Sequence, residues 1–109
     1  GRIELTKTTE DGQNLSGWQF GFYSDGGCTN LISGPHTTDA NGRISVDNLS
    51  AGVVYVKEVG HTDSAINDLY YCSSANPQTV VVTAGETARV SFRNMLIVKR
   101  TNTGENLSG

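Results

Sequence analysis

The chain has 109 residues, a formal charge of −3 and thirteen glycines. This length is enough for one domain with a modest core, but too short for a doubly wound cofactor-binding enzyme. No lysine- or arginine-rich stretch offers an electrostatic grip on nucleic acid, and no apolar run approaches the ~20 residues of a membrane span. The sequence therefore predicts no nucleic-acid partner, no membrane contact and no cofactor.

Short alternating segments dominate the chain and predict strands. They cover residues 2–9, 18–23, 44–46, 53–58, 69–72, 79–83 and 87–94. The Asn41-Gly42 turn in TTDANGRISV predicts a β-hairpin, and residues 59–68 predict a loop with a short helical turn. About seven strands without a sustained helical period predict an all-β fold, an antiparallel immunoglobulin-like β-sandwich.

The two ends of the chain resemble each other. Residues 12–17 read GQNLSG and residues 104–109 read GENLSG, an offset of 92 that also brings Lys7 into register with Lys99. A period of this length is typical of tandem domains rather than of a solenoid. We therefore expect residues 1–94 to form one repeat and residues 95–109 to be the first strand and turn of the next.

Three predicted strands end in a polar residue on their otherwise apolar face. These are Lys7 after Ile3 and Leu5, Glu58 after Val54 and Val56, and Asn94 after Val90 and Phe92. Side chains alternate across a strand, so all three are expected to point toward the core. Burying a lone charge or an unpaired amide is costly, which makes this set unusual.

One interpretation of this set is chemical. A desolvated lysine favours its neutral, nucleophilic form. A carboxyl group in apolar surroundings favours its protonated form, which can hydrogen-bond the side-chain carbonyl of Asn94, polarise it and move protons to the leaving ammonia. The product would be an amide joining Lys7 to Asn94, formed once and with Glu58 as the proton shuttle. The other interpretation is that the three residues reach solvent, with a weak ion pair at the rim and Asn94 capping a turn. Spacing alone leaves both open.

The ordered pieces IELTK, LSGWQFGFY, TTDANGRISVDNLSAG, VYVKE and VSFRN extend from Ile3 to Asn94. Together they resemble the collagen-adhesin B-type repeat, the SpaA-like or prealbumin-like domain of Gram-positive surface adhesins and pilins. The resemblance implies a sandwich with a self-forming isopeptide bond, in which the family's lysine, acid and asparagine fall on Lys7, Glu58 and Asn94. By the same resemblance, Lys99 is the cross-linking lysine of the next repeat. Trp18 departs from the family, which usually has a small residue there.

The implied function is a structural stalk module of a cell-wall adhesin or pilus, exposed at the bacterial surface, with neighbouring tandem repeats as its partners. The resemblance implies no turnover enzyme, and the chain contains no P-loop, HExxH or Ser-His-Asp order. An alternative is a module that binds a host protein or glycan. Its contact surface would use the four tyrosines, Tyr23, Tyr55, Tyr70 and Tyr71.

The remaining candidate residues give weaker predictions. Cys28 and Cys72 form an even pair that permits a disulfide, although spacing does not decide whether they meet. His36 and His61 are too few and too far apart in sequence to indicate a metal site, so none is expected.

Overall fold

The computed structural model describes residues 1–97, which form two four-stranded sheets and one short helix. The strands are β1 (Arg2–Thr9), β2 (Trp18–Tyr23), β3 (Leu31–Thr37), β4 (Arg43–Val46), β5 (Gly52–His61), β6 (Tyr70–Cys72), β7 (Gln78–Val82) and β8 (Thr87–Leu96), and the helix is α1 (Ser64–Asn67). One sheet has the order β4-β1-β8-β6 and the other β3-β2-β5-β7. The predicted β-sandwich is confirmed, and the predicted helical turn is α1.

The first and last strands of the domain lie side by side in the centre of one sheet. They run parallel, with Lys7 opposite Phe92 and Thr9 opposite Asn94. The other strand pairs among residues 1–97 are antiparallel, as the sequence predicts. This parallel pairing brings the end of β1 and the end of β8 to the same edge of the sandwich.

The predicted hairpin around Asn41-Gly42 is wrong. The turn itself is present, since the Gly42 N–H donates to the Asp39 carbonyl at 2.9 Å. However, β3 and β4 belong to different sheets, so the turn connects the two layers instead of pairing two neighbours. The sequence pattern also misses β3, whose LISGPHT run lacks alternation and contains Pro35, a residue typical of edge strands.

The core lies between the sheets and is built from the inward-facing side chains of both. Trp18, Phe20 and Phe22 of β2 are buried at its centre, and the Phe20 ring packs on Phe92 of the opposite sheet at 4.9 Å between centroids. The strict alternation along β1, β5 and β8 follows from one face of each strand being buried.

No helix within residues 1–97 is long and apolar enough to cross a membrane. Lys99 and the second copy of the turn motif, GENLSG at residues 104–109, lie outside the described residues.

Candidate functional site: a buried lysine, glutamate and asparagine

The three polar residues singled out by strand alternation meet inside the sandwich. Lys7 and Asn94 come from the adjacent strands β1 and β8, and Glu58 reaches them from β5 in the opposite sheet. Their exposed fractions are 0% for Lys7, 9% for Glu58 and 1% for Asn94. A solvent-exposed ion pair at the rim, the alternative that spacing left open, does not describe this site.

The Glu58 carboxylate connects the other two side chains, one through each oxygen. The Lys7 Nζ donates to Glu58 Oε1 at 2.6 Å, and the Asn94 Nδ2 donates to Glu58 Oε2 at 2.9 Å. The sequence predicted a contact with the Asn94 carbonyl, whereas the structure places the amide nitrogen against the carboxylate. The Asn94 Oδ1 is buried without a hydrogen-bond partner among the described residues.

The electrostatics of the site favour a reactive amine. Burial lowers the pKa of the Lys7 amine below its ordinary value of 10.5, and the hydrogen bond and charge of Glu58 oppose this shift without cancelling it. A lowered pKa raises the fraction of neutral amine near neutral pH, and the neutral amine is the nucleophile.

Trp18 forms one wall of the site. The Lys7 Nζ lies 4.1 Å from the centroid of its ring, close enough for a cation–π contact. The indole N–H donates to the Asn14 carbonyl at 2.7 Å, and the ring meets His61 and Tyr70 edge-on, with centroids 4.8 Å and 5.8 Å away. Trp18 lies on the inward-facing side of β2, so the sequence alone predicts that it is buried. The contact between Trp18 and Lys7 depends on how the two sheets stack.

The Asn41-Gly42 turn supports the backbone of the lysine. The Lys7 N–H donates to the Gly42 carbonyl at 2.7 Å. Gly42 has a φ of +76°, and a Cβ at this position would lie 2.4 Å from the Lys7 carbonyl oxygen. Both facts require glycine here. The turn that the sequence assigned to a hairpin thus packs against β1 at the site.

The two cysteines are free, and the disulfide that the sequence permitted is not formed in this structure. Cys28 lies in the loop between β2 and β3, whereas Cys72 lies on β6 directly opposite Asn94. Burial, and then the negative charge of Glu58, raises the pKa of the Cys72 thiol. Cys72 is therefore a neutral neighbour of the site near neutral pH.

The other candidate residues are dispersed. Tyr70 is buried, and its hydroxyl donates to Asp11, whereas Tyr71 is exposed on the same strand. Tyr23 and Tyr55 pair on the opposite sheet, so the four tyrosines do not form one continuous surface. Residues 1–97 contain no group of three or more His, Cys, Asp or Glu side chains arranged to hold a metal ion.

The sandwich matches one known class of β-sandwich domain, the prealbumin-like fold. The family model for the SpaA prealbumin-like fold domain matches residues 1–95. The chain therefore belongs to this family, as the sequence resemblance predicted. No curated protein matches the chain.

Solved structures with the same fold include pilin subunits. BcpA, the major pilin subunit of Bacillus cereus, is 21% identical with a TM-score of 0.67, over 86% of this chain and 28% of that one. GBS52, the minor pilin of Streptococcus agalactiae, is 20% identical with a TM-score of 0.68, over 94% and 47%. The Bacillus anthracis TIE protein is 24% identical with a TM-score of 0.64, over 89% and 16%. The chain thus spans less than half the length of each of these structures.

Proposed function

We propose that the chain is a force-bearing structural module of a Gram-positive surface fibre or adhesin, closed by an isopeptide bond between Lys7 and Asn94. The observation that carries this proposal is the buried Glu58 carboxylate, which contacts the prospective nucleophile through one oxygen and the prospective leaving group through the other.

The contacts support a defined order of proton transfers. Glu58 Oε1 takes a proton from the Lys7 ammonium across the 2.6 Å contact, which leaves a neutral amine and a neutral acid. The Lys7 Nζ then attacks the Asn94 Cγ, and a tetrahedral intermediate forms. Glu58 Oε2 delivers its proton to the Asn94 Nδ2, which lies 2.9 Å away. The Cγ–Nδ2 bond breaks, ammonia leaves, and the remaining surplus proton on Nζ passes to Glu58.

This sequence balances without an external reagent. One Nζ–Cγ bond forms, one Cγ–Nδ2 bond breaks, and nothing is oxidised or reduced. Folding brings the reacting groups together, and such intramolecular positioning contributes about 7–11 kcal/mol to well-oriented reactions. The reaction occurs once per chain, so the module is its own single-turnover catalyst and not an enzyme that turns over substrate.

The strand arrangement explains why such a bond would serve a mechanical role. Because β1 and β8 are parallel, the chain enters β1 at one end of the sheet and leaves β8 at the other. Tension between the chain ends therefore shears these two strands against each other. A bond from Lys7 to Asn94 carries that tension directly and shields residues 8–93. By the loop-entropy relation for disulfides, closing a loop of this size stabilises the fold by about 4–5 kcal/mol.

The structural relatives and the repeated turn motif also support a proposal for the longer protein that contains this module. Two of the structural relatives are named as pilin subunits, which are surface-fibre proteins. The second copy of the turn motif favours a tandem array, in which residues 95–109 begin the next repeat and Lys99 serves its cross-link. The neighbouring repeats of the same chain are then the direct partners of this module.

Intact mass under reducing conditions tests the proposed bond. The wild-type chain should be about 17 Da lighter than its sequence mass, because one ammonia is lost. Lys7→Ala and Asn94→Ala should each restore the full mass. A wild-type chain at full mass after prolonged incubation in its folded state would overturn the proposal.

A further inference from the structure

We propose that Asn76 is a positioning residue for the cross-linking reaction, because its side-chain carboxamide holds the backbone of Glu58. The inference rests on the proposed function and adds to it a residue that touches neither of the atoms to be joined. Its role would be to aim the Glu58 carboxylate at Lys7 and Asn94.

The Asn76 side chain replaces a missing strand partner. The pairing of β5 with β7 ends at Val56 opposite Gln78, and two residues further along the same register would place Asn76 opposite Glu58. There the Glu58 N–H donates to the Asn76 Oδ1 at 2.9 Å, and the Asn76 Nδ2 donates to the Glu58 carbonyl at 3.1 Å. A hydrogen-bonded antiparallel pair exchanges the same two bonds through its main chains. The carboxamide thus stands in for a peptide group.

The other side of β5 gives Glu58 less regular support. Phe20 of β2 lies opposite Glu58, but its neighbour Gln19 lies opposite Gly60, so the register shifts by one residue between them. Such a bulge disrupts the ladder locally and redirects side chains. Glu58 therefore sits where one neighbouring strand has ended and the other is irregular, and the two Asn76 bonds define its backbone position.

The position of this backbone matters because the carboxylate must satisfy two donors on two strands of the opposite sheet. The contacts of 2.6 Å to Lys7 and 2.9 Å to Asn94 depend on the same side chain. Asn76 itself is exposed and adds little to the core. Its loss should consequently slow the reaction more than it weakens the fold.

The first test measures rate. Linear chain prepared unfolded is folded by dilution from denaturant, and the loss of ammonia is followed by mass. Asn76→Ala should react about ten- to a hundredfold more slowly than the wild type, the range expected for displacement of a reacting group by up to about 1 Å. Asn30→Ala is the matched control, since Asn30 is also an exposed asparagine but its carboxamide donates to the Ser24 hydroxyl in the loop between β2 and β3, away from the reacting residues. The control should react at the wild-type rate.

The second test detects the clamp without the reaction. In an Asn94→Ala background, which cannot cross-link, amide hydrogen exchange is measured at Glu58 with and without the Asn76→Ala change. Loss of the carboxamide should accelerate exchange about tenfold, as expected for one hydrogen bond. Unchanged exchange, or faster exchange with an unchanged cross-linking rate, would overturn the inference.

The two proposals fail in different ways. A wild-type chain that loses no ammonia overturns the proposed function and this inference with it. A wild-type chain that reacts, together with an Asn76→Ala chain that reacts equally fast, overturns the inference alone. Equal slowing by Asn76→Ala and Asn30→Ala also overturns it, because a general weakening of the fold would then be the cause.

Discussion

Two glutamates of this molecule make ion pairs in opposite surroundings. Glu4 lies on the outer face of β1, where it pairs with Arg2 at 3.3 Å and with Arg89, and 34% of its side chain is exposed. Glu58 pairs with Lys7 inside the sandwich, where 7% of its side chain and none of the lysine's is exposed. Both ion pairs join a glutamate to a basic residue, but the Glu4 pairs are in contact with water and the Glu58 pair is buried.

This difference decides what each pair can do. An exposed pair contributes about 0–1 kcal/mol, because water screens both charges whether or not they meet. Burial strips water from both charges of a pair, and their mutual attraction offsets only part of this cost. The neutral form of the amine is therefore easier to reach, and removing one partner strongly destabilises the fold. Changes at the Glu58 pair should therefore have much larger effects than the same changes at the Glu4 pair.

The largest expected effect is chemical. Glu58→Gln keeps the size of the side chain but removes the carboxylate that accepts the proton from Lys7, so cross-linking should slow by about 10²- to 10⁴-fold. Glu4→Gln, the matched change on the outer face, should leave the rate unaltered. Timed intact-mass measurements on both variants make the comparison. Equal rates for the Glu58→Gln variant and the wild type would contradict the assigned role of Glu58.

The second effect is mechanical and thermodynamic. Asn94→Ala should lose about 4–5 kcal/mol of unfolding free energy, because its unfolded chain is no longer closed into a loop. Under tension applied to the ends, this variant should release about 300 Å more chain than the wild type, the extended length of the shielded residues 8–93. Single-molecule pulling measures this length. Equal extensions would show that the wild-type bond does not carry the tension.

The third effect is a pH dependence of the chain that cannot cross-link. The folded state lowers the pKa of Lys7 below 10.5, so between the lowered value and 10.5 the unfolded chain holds a proton that the folded chain has released. Unfolding then takes up a proton, and the stability of Asn94→Ala rises with pH through this window. Below this pH range Lys7 is protonated in both the folded and the unfolded chain, so the free-energy cost of burying its charge does not change with pH.

The reference for this pH dependence is the double variant Lys7→Met with Asn94→Ala, which lacks the titrating amine. Urea unfolding at a series of pH values should show stability rising in Asn94→Ala relative to this double variant. Parallel curves for the two chains would mean that burial does not perturb Lys7.

The smallest expected effect is on the outer face. Glu4→Ala removes exposed contacts with Arg2 and Arg89 and should change the unfolding free energy by less than about 1 kcal/mol. Added salt should reduce this change further, since it screens exposed charges. Chemical unfolding at low and high salt provides the measurement. A loss of several kcal/mol would contradict the distinction between the two glutamates.

Part of this account is readable from the sequence. Alternation along single strands placed Lys7, Glu58 and Asn94 on inward faces, because one buried face per strand forces a period of two. The repeat of GQNLSG led to the expected domain limits, which stay a prediction.

Features that depend on contacts between distant strands were not readable. The Asn41-Gly42 turn has the local sequence of a hairpin, but the pairing of its flanking strands is set by the whole sandwich. The contact of Trp18 with Lys7 depends on how the sheets stack, and the opposition of Asn76 and Glu58 depends on the register of β5 with β7.

The central claim is that the Lys7 Nζ and the Asn94 Cγ become joined, and peptide mapping of the wild-type chain tests it most directly. Trypsin cuts after Arg2, Arg43, Arg93 and Lys99 but not after an acylated Lys7. A cross-linked chain should therefore yield one branched peptide that joins residues 3–43 to residues 94–99, lighter by one ammonia than the sum of the two segments. Recovery of residues 3–7, 8–43 and 94–99 as three separate, unmodified peptides would contradict the claim.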